Sequence, residues 1–138
     1  MADVIIVDRL VAVYDPIHAI MGECSFAAFA ALVKEAKPRS FVNNLDRDDE
    51  YHPARVKDMV NRMRTGWVPD PIELDCTCSG GRVLDEVELL DGHHRVIASM
   101  FYPKDTITAH YGGTVDLLEW LRGDTDTHPS MGDVWWES

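Results

Sequence analysis

The stretch Leu89-Leu90-Asp91-Gly92-His93-His94-Arg95-Val96-Ile97-Ala98 decides the fold of this chain. It opens on the apolar end of a predicted strand, passes a glycine, and closes on Val96-Ile97-Ala98, which has the pattern of a short helix. A glycine lets the backbone turn tightly, and the amide groups that open the next helix favour an anion. This order of strand, turn and helix predicts an α/β domain with a phosphate-binding loop at residues 91–95.

The side chains of this loop suit phosphate chemistry. His93 and His94 can donate hydrogen bonds or move a proton near neutral pH. Arg95 offers a planar fork for phosphate oxygens, and Asp91 can hold Mg²⁺, cap the helix or orient a histidine. We therefore predict that Asp91, Gly92, His93, His94 and Arg95 bind phosphate, with both histidines as catalytic candidates and with Asp91 as a candidate magnesium ligand, helix cap or partner of a histidine. A turn with one packed and one solvated histidine is the alternative, and the sequence does not say which histidine faces the ligand.

Regular elements are predicted on both sides of the loop. Apolar spacing at i, i+3, i+4 and i+7 predicts helices, and β-branched or alternating runs predict strands. The predictions are a strand or kinked pair over residues 4–7 and 10–14, helices from Ser25 to about Ala36 and from Pro53 to Gly66, a hairpin of residues 72–75 and 83–90, a strand over 106–111, and a last helix capped by Thr114.

The charge is strongly and unevenly negative. Thirteen basic and twenty-four acidic side chains among 138 residues give a net charge of −11. Residues 1–70 carry nine basic and eleven acidic side chains, a net charge of −2. Residues 71–138 carry four basic and thirteen acidic side chains, a net charge of −9. This balance disfavours a broad wrap around a nucleic-acid backbone. One basic face is predicted on the helix that begins at Pro53, with a solvated helix face as the alternative; it consists of Arg55, Lys57, Arg62 and Arg64.

Length and composition predict one domain without a membrane segment. The chain suits a single domain over residues 1–123, followed by an acidic tail over residues 124–138 that carries Trp135-Trp136. No run approaches the roughly 20 apolar residues of a membrane span, and residues 1–8 lack the flank and length of a secretory signal. Three cysteines do not make a disulfide framework. We expect a cytoplasmic protein that does not bind membranes.

The order of these motifs resembles the ParB/sulfiredoxin-like superfamily. The resemblance is carried by the helix Ala54 to Val60, Gly66, the strand Pro71 to Asp75, and the stretch quoted above. The D-G-H-H-R form is similar to that of the ParB-like free serine kinases, whereas partition proteins usually show G-E-R-R there. His93 stands where a sulfiredoxin would have its cysteine, so repair of sulfinic acids by that thiol is not expected. The resemblance is strong over residues 54–98 and loose over 41–112, and it implies a single compact α+β domain with a small mixed sheet.

The resemblance also implies a cofactor and two further site residues. It implies a nucleoside triphosphate or diphosphate (ATP, ADP or CTP) with Mg²⁺ at the loop, and phosphoryl transfer or nucleotide hydrolysis. Glu50 matches the acidic residue that acts as a base before the equivalent helix, although Asp48 and Asp49 are rivals and a solvated acidic loop is the alternative. Arg47 resembles the partition-protein arginine that meets phosphate, although it could equally pair with its neighbouring aspartates.

Two other functions stay open at this point. The first is an acidic adaptor or inhibitor that engages a basic protein partner through residues 71–138 and the Trp135-Trp136 tail. The second is a metal-dependent DNA nuclease that uses Asp91, His93 and His94. No segment of this chain looks like the helix-turn-helix of partition proteins, and the net charge of −9 in the second half would repel DNA.

Overall fold

The computed structural model describes residues 2–41, 48, 50–102 and 104–129, and it confirms the predicted α/β class with a small mixed sheet. The elements follow in chain order as β1 (Asp3–Ile6), α1 (Val7–Val13), α2 (Pro16–Met21), α3 (Phe26–Glu35), α4 (Tyr51–Arg64), β2 (Ile72–Ser79), β3 (Arg82–Asp91), α5 (His93–Phe101), β4 (Thr106–Gly112) and α6 (Val115–Arg122). They fall into two units. The first contains Met1–Tyr14, Asp70–Gly92 and Asp105–Ser138, and the second contains Asp15–Pro69 and His93–Lys104.

The first unit holds the whole sheet, in the strand order β1-β4-β2-β3. The predicted hairpin is confirmed: β2 and β3 pair antiparallel, and positive φ angles at Gly80 (57°) and Gly81 (76°) form its tight turn. β4 lies parallel to β2 and antiparallel to β1, which makes the sheet mixed. Alternate strand residues are buried, as the period of two in a strand requires. They include Ile72, Leu74 and Cys76 on β2 and Ile107 and Ala109 on β4.

The N-terminal prediction is wrong for residues 10–14. Residues 7–13 form the helix α1 rather than a strand or kinked pair. Val7 and Leu10 lie three residues apart on one face of α1 and are buried, and this packing outweighs the β propensity of the β-branched residues. Arg9 adds a contact that no local pattern predicts: its Nη1 donates to the carbonyl oxygen of Trp120 at 2.6 Å.

The second unit is helical. α3 is confirmed, with the predicted cap, because the Ser25 hydroxyl accepts from the amide of Ala28 at 3.0 Å. α4 begins at Tyr51, which is earlier than the predicted start at Pro53. α2 has no counterpart among the predictions, although Asp15 caps it through the amides of Ile17 and His18 at 3.0 Å. The four helices share a buried cluster of Ile17, Phe29, Val33, Val56, Met59, Val60, Met63, Ile97 and Ala98.

The remaining predicted elements are confirmed as α5, β4 and α6, and Thr114 caps α6 through the amide of Leu117. No helix within the described ranges is both long and apolar enough to cross a lipid bilayer.

Candidate functional site

The turn between β3 and α5 has the predicted order of strand, glycine and helix. β3 ends at Asp91, and α5 begins at His93. Gly92 between them has a φ of +105°, a conformation that residues with a side chain rarely adopt. The backbone therefore requires glycine at position 92. The first turn of α5 contains no acidic residue, so no carboxylate of that turn offsets the positive end of the helix dipole.

The boundary between the two units falls inside the predicted loop. Asp91 and Gly92 belong to the first unit. Asp91 is exposed and lies opposite Glu73 in the strand register at the end of the hairpin. His93, His94 and Arg95 belong to the second unit, and all three are partly buried. The structure thus assigns the histidines and the arginine to the helical unit. Magnesium binding by Asp91 stays a prediction.

A pair of histidines lies at the head of two helices in the second unit. Nδ1 of His52 and Nε2 of His94 are 2.8 Å apart, which is a hydrogen-bond distance. The ring centroids are 5.1 Å apart and the ring planes are inclined by 23°, so the two imidazoles meet edge to edge through these nitrogens. His52 is the second residue of α4, and His94 is the second residue of α5. The pair therefore brings the N-terminal ends of α4 and α5 together.

An aromatic frame surrounds the histidine pair. Tyr51 is only 4% exposed and presents its ring nearly perpendicular to both imidazoles, with centroid distances of 5.3 Å to His52 and 5.9 Å to His94. Phe41 packs edge-on against Tyr51 at 5.8 Å, and the Arg39 guanidinium lies 5.8 Å from the centre of the Tyr51 ring. These contacts hold Tyr51, and Tyr51 in turn limits the orientations of the two imidazole rings.

The segment before α4 supplies charges near this frame. Arg39 Nη1 donates to Asp48 Oδ1 at 2.8 Å, and this hydrogen bond lowers the pKa of the Asp48 carboxyl. The same Asp48 oxygen accepts from the amide of Glu50 at 3.1 Å. Asp48 is therefore engaged in structure, which weakens it as a rival of Glu50 for the predicted base. Arg47 and Asp49 lie outside the described residues.

Glu50 stands immediately before α4. Its side chain is exposed and forms no cap hydrogen bond to the helix. It lines a surface hollow of about 260 Å³ whose other walls are Leu32, Glu35, Ala36, Lys37 and Pro53. Glu50 is close to His52 along the chain, because the two residues flank Tyr51. The structure thus places Glu50 at the start of the same helix as His52.

The predicted basic face of α4 consists largely of engaged side chains. Lys57 Nζ donates to the carbonyl oxygens of Lys34 at 2.9 Å and Ala36 at 2.8 Å, so it caps the C-terminal end of α3. Arg62 Nε lies 3.1 Å from Asp58 Oδ2, and Arg55 Nη1 lies 3.8 Å from the same oxygen. The Arg55 guanidinium also lies over the Phe41 ring at 5.0 Å. These contacts favour the structural alternative over a surface for binding nucleic acid.

The acidic half of the chain has a hollow of its own in the first unit. Its volume is about 340 Å³, and its lining consists of Asp85, Asp116, Glu119, Thr125, Thr127, His128 and Pro129. His128 is 8% exposed and packs edge-on against Trp120 at 4.7 Å. Residues 130–138, including Trp135-Trp136, lie outside the described part of the chain. Among the described residues, no group of three or more His, Cys, Asp or Glu side chains is arranged to hold a metal ion.

His52 is the site residue that the sequence patterns do not indicate. With the helix predicted to begin at Pro53, His52 is assigned to the preceding loop and shares no motif with residues 91–95. The useful signal would have been an earlier helix start. Tyr51 as the first helical residue gives both helices a histidine at their second position.

Comparisons with known proteins identify no relative. No protein-family model matches the chain, and no curated protein or solved structure matches it significantly. The resemblance to the ParB/sulfiredoxin-like superfamily therefore rests on the motif residues alone.

Proposed function

We propose that this protein binds the phosphate groups of a nucleoside triphosphate or diphosphate where the N-terminal ends of α4 and α5 meet, and that it carries out phosphoryl transfer or nucleotide hydrolysis there. The observation that carries the proposal is the His52–His94 contact of 2.8 Å. It joins two helix N-termini in one unit, with Arg95 in the first turn of one of them.

The N-terminal end of α5 favours an anion. The first amide groups of a helix have no partner within the helix, and the aligned peptide dipoles leave a partial positive charge there. α5 has no acidic residue in its first turn. α4 differs, because the Asp48 and Glu50 carboxylates precede it, the Tyr51 amide donates to the Asp48 carbonyl oxygen at 3.0 Å, and Pro53 has no amide proton. Imidazole and guanidinium groups supply further donors at the same ends. A phosphate group, with its several acceptor oxygens, complements this set of donors.

Each residue has a distinct role in the proposed reaction. Arg95 binds phosphate oxygens through its planar fork, and His93 and His94 donate hydrogen bonds to the phosphate or transfer a proton. Glu50 accepts the proton of the attacking hydroxyl or water. The oxygen of that attacking group bonds to phosphorus while the bond from phosphorus to the leaving oxygen breaks. The protein contributes mainly position and charge to such a transfer. When bound, Mg²⁺ would neutralise phosphate charge.

The direct test is calorimetric titration with ATP, ADP, CTP and GTP in the presence of Mg²⁺. At least one nucleotide should bind, and Arg95→Ala should weaken it by about tenfold to a hundredfold, because the loss of a charge-assisted contact costs about 1.5–3 kcal/mol. Arg64→Ala is the matched control, since Arg64 is an exposed arginine in the last turn of α4. Absence of binding, or equal affinity in the parent protein and in Arg95→Ala, would overturn the proposal.

The acidic first unit supports a second candidate function, which is binding of a basic protein partner. The observation that favours it is the hollow of about 340 Å³ with three carboxylates in its wall, in the half of the chain whose net charge is −9. An oligoarginine peptide should shift the NMR signals of Asp116 and Glu119, and the double variant Asp116→Asn/Glu119→Gln should weaken its binding. Shifts spread evenly over the surface would count against a defined partner site.

A further inference from the structure

We propose that the exposed side of α3 is a dimer contact, against which α3 of a second copy of this chain packs antiparallel. The contact surface, called here the outer face of α3, consists of Ala27, Ala28, Ala31, Leu32 and Glu35. It lies wholly within the second unit. The inference goes beyond phosphate binding and does not depend on it, because none of the proposed phosphate-binding residues belongs to this face.

The first eight residues of α3 are apolar around the whole helix. Residues 26–33 include no polar side chain, whereas a surface helix ordinarily has polar residues opposite its buried stripe. Phe29 (0% exposed) and Val33 (8% exposed) form the buried stripe. On the outer face, Leu32 is 44% exposed, and the three alanines are exposed with it. α4, in the same unit, instead has exposed arginines in its last turn. The outer face of α3 is therefore typical of a helix contact.

The outer face is continuous along the helix. Ala27, Ala31 and Glu35 are spaced four residues apart, and so are Ala28 and Leu32, so the five side chains form two adjacent rows. Small side chains in such rows let two helix axes approach to about 8 Å, the lower end of the usual range. A second helix can therefore pack along this face and cover Leu32.

The charges at the two ends of α3 favour an antiparallel partner of the same sequence. A two-fold axis midway between Ala28 and Ala31 places Ala28 beside Ala31 of the second copy. Glu35 then lies near the N-terminal end of the other α3, whose first turn contains no acidic residue and where the peptide dipoles leave a partial positive charge. Lys37, exposed just after the helix, lies near Glu23, exposed just before it. Parallel pairing would instead bring Glu35 beside its own copy.

The net charge of the chain gives the proposed dimer a distinctive dependence on salt. Two copies that each carry a net charge of −11 repel one another, and a contact through a face with one carboxylate adds little to that repulsion. Salt screens the repulsion, so association of two copies should strengthen as the ionic strength rises. Association with a basic partner would weaken under the same change.

The size of the outer face predicts a weak dimer. α3 has ten residues and is about 15 Å long. A contact of that length falls short of the roughly 800 Å² that each partner buries in a standard interface. We therefore expect a dissociation constant between about 10 and 500 µM.

Analytical ultracentrifugation of the full chain at about 10 µM to 1 mM, in low and in moderate salt, tests the proposal. The parent protein should change from monomer to dimer, and more completely in the higher salt. Ala31→Glu adds a carboxylate to the centre of the face in each copy, so it should weaken association by about tenfold or more. The matched control is Ala19→Glu, the same replacement at an exposed position of α2, which should dimerise like the parent. Glutamate is a good helix former, and circular dichroism checks that both variants fold.

Cysteine crosslinking tests the antiparallel geometry. Ala31→Cys places one thiol of each copy close to the two-fold axis, so mild oxidation should give a disulfide-linked dimer. Ala19→Cys, in the same background of three native cysteines, should give no more crosslinked dimer than the parent.

Three results would overturn the proposal. The first is a parent protein that stays monomeric at about 1 mM. The second is a dimer that Ala31→Glu leaves unchanged, because another surface then makes the contact. The third is oxidised Ala31→Cys that gives no more crosslinked dimer than the parent. None of these results bears on phosphate binding, which the nucleotide titration measures separately.

Discussion

The two units each contain a polar cluster, and the clusters differ in how their hydrogen bonds are arranged. In the first unit, the buried Cys76 Sγ accepts from the amide of Thr114 at 3.2 Å and lies 3.2 Å from the Tyr111 hydroxyl. Tyr111 donates to the carbonyl oxygen of Thr114 at 2.7 Å, and the Thr114 hydroxyl donates to Asp85 at 2.6 Å. In the second unit, two imidazoles at helix ends share one hydrogen bond whose direction can reverse.

The comparison separates a structural cluster from a candidate reactive one. The Cys76–Tyr111–Thr114 cluster connects β2 and β4 to the cap of α6 through several hydrogen bonds, so it stabilises the sheet unit. The histidine pair can exchange a proton, because imidazole is both donor and acceptor near neutral pH. We expect substitutions in the first cluster to change stability and substitutions in the second to change binding.

The largest expected effect is at Gly113, which lies beside the first cluster. A Cβ atom added there would lie 2.4 Å from Cys76 Sγ and 2.8 Å from the Tyr111 hydroxyl oxygen, both too close for real contacts. Gly113→Ala should therefore lower the free energy of unfolding by about 1–3 kcal/mol, as overpacking does. Urea unfolding followed by circular dichroism measures it. Gly112→Ala is the matched control, because its Cβ would be 3.8 Å from the nearest atom, an ordinary contact. Equal stability of the two variants would show that the side chains of the cluster can shift to accommodate the added methyl group at little cost.

The next effect is an alkaline loss of stability that involves Tyr111. Burial, and then the hydrogen bond with Cys76, raise the pKa of Tyr111 above its ordinary value. The folded protein therefore keeps the phenol proton at a pH where the unfolded chain has lost it. The contribution of Tyr111 to the free energy of unfolding is complete below a pH of about 10 and falls as the pH rises further. Tyr111→Phe should cost about 1 kcal/mol at neutral pH, for the lost hydrogen bonds, and should flatten the alkaline decline.

Unfolding measured from pH 8 to 11.5 tests this prediction. Some alkaline decline should remain in Tyr111→Phe, because burial and the nearby charge of Glu88 also raise the pKa of Tyr14. A decline of the same steepness in the parent protein and in the variant would contradict the role of Tyr111.

A smaller effect on stability is expected when both members of the histidine pair are replaced. His52→Leu/His94→Leu removes the donor and the acceptor of this hydrogen bond together, so the free energy of unfolding should change by less than about 1 kcal/mol. Phosphate binding should be lost in the same variant. Thermal unfolding and titration with ADP on one preparation would measure both. A large loss of stability would place the pair with the structural cluster and remove the contrast between the two units.

The smallest effect is expected at Asp48. Its hydrogen bond with Arg39 lowers the pKa of the carboxyl, so the stabilising contribution is present above the ordinary pKa of an aspartate and is lost as the pH falls below it. Asp48→Asn should make the acid limb of the stability curve shallower between pH 5 and 2. Glu23→Gln, at an exposed carboxylate of the same unit, should leave the limb unchanged. Identical limbs in all three proteins would show that the ion pair contributes nothing measurable.

Local patterns predicted most of the regular elements. The stripe of Val56, Met59, Val60 and Met63 indicates α4, and Gly80-Gly81 indicates the hairpin turn, because helix periodicity and turn geometry depend on neighbours a few residues apart. The same reasoning failed for α1, where burial of Val7 and Leu10 outweighs local propensity. It also missed α2, although the cap Asp15 followed by Pro16 is a local helix signal.

By itself the sequence determined the mixed α/β class, the glycine turn at Gly92 and the identity of the polar residues that open α5. Tertiary structure alone decided that His94 meets His52, 42 residues away along the chain, and that Lys57 caps α3 instead of joining a basic surface. The physical reason is range. Caps, turns and periodicity act over a few residues, whereas the pairing of side chains from different helices depends on how those helices pack.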